Sequence, residues 1–136
     1  MNPSREVARA LLEKARGDRQ ACYALMLDPT MLAWLVGFHA QQAVEKAVKS
    51  ALAAVPIEYL RTHYLSARLA FARHGGLSLP PDTEELSLLT PFGSAFRYDD
   101  ELAADGSVTL DRAWVQQRLD RIIGWAETIG DQQVLV

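Results

Sequence analysis

A chain of 136 residues has the length of one ordinary domain. Apolar residues make up 49% and charged residues 23%, a globular balance that excludes a disordered chain. The formal net charge of −3 excludes a broadly basic nucleic-acid binder, so any phosphate contact must come from a local cluster.

The N-terminal stretch MNPSREVARALLEK carries charges every few residues and no apolar signal core. Asn2 followed by Pro3 reads as a cap and first-turn pair, because proline lacks an N–H that the first turn cannot use. Val7, Leu11, Ala15, Cys22 and Leu25 then recur at helical spacing. They predict a first helix that ends before Asp28-Pro29. Cys22 is the only cysteine, which excludes an internal disulfide and a multi-cysteine zinc site and fits a reducing cytoplasm. Its place on the apolar stripe predicts a buried, inert thiol.

Asp28, Pro29 and Thr30 are read as the cap of a second helix, which runs to about Ala54. Pro56 stops it by pushing the preceding residue out of the helical region. A third helix is predicted from Glu58 to His74, closed by Gly75-Gly76. A shorter helix capped by Asp82 or Thr83 carries Leu86, Leu88, Leu89, Phe92 and Phe96, with Pro91 and Gly93 as sites of kinking. Asp99 to Gly106 reads as an acidic loop. Thr109 is read as the cap of the last helix, where Val115, Leu119, Ile122, Ala126 and Ile129 repeat at helical spacing. The final DQQVLV reads as frayed. No strand-period segment and no internal repeat is found, and no apolar run approaches the roughly 20 residues that span a bilayer. The fold class is therefore all-α, an antiparallel up-and-down bundle of four or five helices. Residues 1–136 are read as a single cytoplasmic domain.

The stretch FHAQQAVEKAVKSAL, residues 38–52, divides cleanly on a helical wheel. Val36, Ala40, Ala43, Val44, Ala47, Val48 and Ala51 fill one arc. His39, Gln41, Gln42, Glu45, Lys46 and Lys49 fill the other, interrupted by Phe38 and Leu52. Physics alone favours a solvated face, since charged residues are mostly exposed whatever their role. Phe38 and Leu52 argue that something covers part of that side.

The same stretch resembles the signature helix of the HEPN domain family. The matching residues are Phe38-His39, Ala40-Gln41-Gln42-Ala43, Glu45-Lys46 and Lys49. Thr62-His63-Tyr64-Leu65 and Phe96-Arg97-Tyr98-Asp99-Asp100 resemble two further family stretches, in the same order. Together they cover about residues 7 to 130. The resemblance implies a helical bundle, commonly a homodimer, with one of two activities. One branch accompanies a minimal nucleotidyltransferase in toxin–antitoxin-like modules and binds nucleotide or the partner enzyme. The other comprises metal-independent ribonucleases with a late arginine and histidine, separated by four to six intervening residues.

Arg68 and His74 have that separation, but they lie on the predicted third helix, and no histidine follows His74. The chain thus departs from the ribonuclease pattern, and the pair stands as the alternative catalytic reading. Otherwise no catalytic residue is assigned. The expected nucleotide- or phosphate-binding residues are Gln42, Lys46, Lys49, His63 and Arg97, with RNA as a second possible ligand. The three histidines lack metal-ligand spacing, and no glycine-rich phosphate loop is present, so no metal and no cofactor are expected. His39 has no catalytic partner recognisable along the chain. Trp114, Arg118, Arg121 and Trp125 form a second stripe on the last helix, expected either to pack in a dimer or to widen the core.

Overall fold

The computed structural model describes residues 3–55, 69–70, 73, 77–81, 83–93 and 110–134. Every element among them is helical. α1 spans Pro3–Met26 and α2 spans Ala33–Ala54. A 3₁₀ helix, Thr83–Leu89, leads into the single turn α3, Thr90–Gly93. α4 spans Arg112–Val134. The all-α class expected from the apolar periodicity is what the chain adopts. Leu69 and Ala70 are helical, within the range predicted for the third helix. The rest of that helix, apart from Arg73, lies outside the described residues, as do Asn2, Asp82, the Asp99–Gly106 stretch and Thr109.

Side-chain pairing gives the helix directions. Along α1, Ala8, Asp18 and Cys22 meet Ser50, Lys46 and Val36 in turn, so α1 and α2 are antiparallel. Arg16, Arg19 and Tyr23 meet Glu127, Asp120 and Gln116 in turn, so α4 is also antiparallel to α1. α2 and α4 therefore run parallel. The chain must reverse direction between them, as an up-and-down order requires.

α2 is the central helix. All seven residues of its predicted apolar arc are at most 4% exposed. Four of those seven are alanines, so neighbouring backbones approach closely. α1 supplies Ala15 and Cys22 to the same core, and α4 supplies Val115, Leu119, Ile122, Ile123, Ala126 and Ile129. Leu86, Leu89 and Phe92 close it from the 3₁₀ helix and α3. Phe92 fixes one approach closely: a Cβ on Gly37 would stand 2.3 Å from its ring.

The boundaries depart from expectation at two caps and at the C-terminal tail. α2 starts at Ala33 with Leu32 as its N-cap, and Leu32 makes no side-chain cap bond. Asp28 instead accepts from the Thr30 N–H at 2.9 Å and from the Thr30 hydroxyl at 2.6 Å. Those bonds build a local turn, which spends the carboxylate before the helix begins. At α4, Asp111 takes the role given to Thr109, accepting from the Trp114 N–H at 3.2 Å. The tail read as frayed is helical through Val134.

Trp114 and Trp125 are half-buried against the chain's own core. Trp114 donates its indole N–H to Glu85, and Trp125 donates to the Ser78 carbonyl at 2.7 Å. Arg118 also binds Glu85 at 2.8 Å while stacking over Trp114 at 5.3 Å. Of the two expectations for these tryptophans, widening of the core is the one the structure supports. Among the described residues, no helix is long and apolar enough to cross a membrane.

Candidate functional site

The polar arc of α2 is not a solvated face. Gln41 and Glu45 are 3% and 9% exposed, and Leu52, which interrupts the arc, is 1% exposed. Another part of the arc lies against α1, whose Asp18 reaches across the helix interface. Asp18 Oδ1 lies 3.1 Å from His39 Nδ1, and Oδ2 lies 2.5 Å from Lys46 Nζ. One carboxylate thus holds two residues seven apart, or two turns along the same helix face.

The row continues along α2. Lys49 pairs with Glu45 at 3.1 Å, the favourable glutamate-before-lysine order at i and i+4. Gln41 donates its amide to the other Glu45 oxygen at 3.1 Å, and Gln42 donates to Gln41 at 2.8 Å. The amide orientations follow from these bonds. Six side chains of α2 and one of α1 make two short networks, in which two carboxylates meet two ammonium groups. Partial burial makes such pairing obligatory, because an unpaired charge there is costly.

His39 therefore has a hydrogen-bond partner, Asp18, that the sequence did not reveal. With its proton on Nδ1, the imidazole donates to Asp18 and keeps Nε2 as an acceptor. Phe38 packs edge-on against it, with ring centroids 5.3 Å apart. Asp18 was missed because it lies on another helix, 21 residues before His39. Its only sequence signal is an acidic residue in the polar stretch GDRQ.

Of the expected site residues, the structure brings Gln42, Lys46 and Lys49 onto this one face. His63 and Arg97 lie outside the described residues, and so do Arg68 and His74 of the ribonuclease alternative. Lys46 and Lys49 are about a quarter exposed, so each ammonium retains contact with solvent beside its carboxylate. An ammonium has three donors, and Asp18 and Glu45 each supply an ion-pair partner on one side. Among the described residues, no group of three or more His, Cys, Asp or Glu side chains could hold a metal ion.

Cys22 sits just beyond this network. Its side chain is fully buried, and its Sγ–H points at the Val36 carbonyl at 3.6 Å. Burial, aided by the charge of Asp18, pushes the thiol up to about 11. That is the inert thiol expected from the apolar stripe.

An all-helical chain built on a central alanine-rich helix, with a charge network clamped by its neighbour, defines a helical-bundle domain with an ordered polar face. The HEPN domain family model matches residues 8–129. The chain belongs to the HEPN domain family. No curated protein and no solved structure matches it.

Proposed function

We propose that this HEPN-family chain is a non-catalytic binding protein that takes a nucleotide on the polar face of α2 and works with a minimal nucleotidyltransferase. The observation that supports this reading is the pre-ordered state of Lys46 and Lys49. Each ammonium is held by a carboxylate at a partly exposed position. A cation already fixed in place loses less side-chain entropy when a phosphate arrives. Gln42 adds an amide beside them, and His63 and Arg97 are proposed to complete the contact. Arginine at such a place would grip phosphate through its fork.

Thermal unfolding with ATP or GTP tests the reading. A nucleotide at roughly 100 times its Kd adds about 2.7 kcal/mol of stability, a rise easily seen in Tm. Lys49→Ala combined with Arg97→Ala should remove the rise. Lys49 is chosen over Lys46 because its partner is on its own helix, so the α1–α2 clamp survives the substitution. If neither nucleotide moves Tm, the reading fails, and a purely protein-binding role takes its place. Cleavage of RNA by the purified chain, lost in His74→Ala, would instead establish the ribonuclease alternative.

A further inference from the structure

A second feature lies along α1 on the N-terminal side of Asp18. A cavity of about 190 Å³ opens between α1, α2 and α4. Small and apolar side chains line part of it, Ala8 and Leu12 from α1, Ala54 from α2 and Ala126 from α4, beside Ser50, whose hydroxyl is spent on the Ala8 carbonyl. Arg5, Arg9 and Arg16 line one side, with Glu127 and Asp131 on the other. The three arginines and Leu12 fall within an arc of about 60° on α1. That spacing was on view in the sequence, but nothing there showed that the arc borders a hollow.

The charges are unequal. Three guanidinium groups face two carboxylates, one of which, Glu127, already pairs with Arg16 at 3.3 Å. Arg9 makes no hydrogen bond or ion pair among the described residues, although it borders the cavity. A cavity of this volume has room for a body about the size of a benzene ring. The Arg9 guanidinium suits one planar oxyanion, which an arginine fork binds through two parallel bonds.

From this we infer that the cavity is a binding site for a small monocarboxylate with an aromatic or similarly sized apolar body. The carboxylate meets Arg9, and the ring rests on Ala8, Leu12, Ala54 and Ala126. This site is separate from the α2 polar face and does not depend on nucleotide binding there.

Calorimetric titration of the full chain with benzoate, benzamide, acetate and inorganic phosphate tests the inference. Benzoate should bind. Benzamide lacks the charge, and acetate and phosphate lack the apolar body, so each should bind at least about tenfold more weakly. Arg9→Gln should weaken benzoate at least about tenfold while leaving Tm unchanged, because Arg9 is exposed. Ala54→Leu, which fills the cavity without touching a charge, should abolish benzoate binding in a chain that still melts cooperatively. Absence of benzoate binding, equal binding of benzamide or phosphate, or unchanged benzoate affinity in Arg9→Gln would each overturn it.

Discussion

Asp18 Oδ2 on α1 lies 2.5 Å from Lys46 Nζ on α2, and the other Asp18 oxygen meets His39. This one carboxylate ties the polar side of α2 to its neighbour. Asp18 is 14% and Lys46 26% exposed, so solvent screens the pair only in part. Asp18→Asn should therefore cost about 1–3 kcal/mol, below the full loss for a buried pair. Asp18→Asn and Lys46→Met, measured singly and together by urea unfolding, should show a coupling energy of about 1–2 kcal/mol. Strict additivity would show that the clamp contributes nothing.

The buried thiol sets an alkaline limit. Cys22 is raised from 9.0 to about 11 in the fold, so the native state keeps its proton where the unfolded chain loses it. The stabilisation is complete below about pH 9 and is lost as pH rises toward 11, at up to about 1.4 kcal/mol per pH unit. Tyr23, raised by burial and by its bond to Asp120, acts in the same direction at higher pH. Unfolding measured from pH 8 to 11 should show this loss, and Cys22→Ala should flatten the cysteine part of it. In the native state at pH 7, a thiol reagent should label Cys22 only at the rate of unfolding.

Gly37 marks the closest packing of α2. Alanine there would place a methyl 2.3 Å from the Phe92 ring, and the ring is itself buried. Gly37→Ala should destabilise by about 2 kcal/mol despite its better helix propensity. Adding Phe92→Leu should recover part of that loss. A more stable Gly37→Ala chain would show that α3 can move away freely.

Asp111 caps α4 through the Trp114 N–H. Asp111→Ala should lower stability by about 1 kcal/mol, or roughly 3–5 °C in Tm for a chain of this size. Asp111→Asn should recover most of it, since the amide oxygen can accept the same bond.

Much of this fold was legible from local patterns. The stripe Val36, Ala40, Val44, Val48 and Ala51 specified the buried face of α2, because apolar spacing and helical geometry share one period. Pro3 and Pro56 bounded the first two helices for the equally local reason that proline restricts its own backbone and its neighbour's. Cys22 on the apolar stripe was readable as buried and unreactive. The charge row of α2 was not readable in the same way. Whether Lys46 and Glu45 face water or another helix depends on what packs against them, and periodicity carries no such information. Asp28 and Thr109 misled for a related reason: several residues near a helix start can cap it, and backbone geometry selects one.

By itself, the sequence determined an all-helical chain, the inward face of its central helix, and the HEPN pattern written along FHAQQAVEKAVKSAL. Those properties follow from side-chain spacing within one element. Only the tertiary structure decided that Asp18 clamps His39 and Lys46, that the Trp114 and Trp125 indoles bind their own chain, and that Arg5, Arg9 and Arg16 border a hollow. Each of these joins residues distant in sequence, and their meeting is set by how the helices pack.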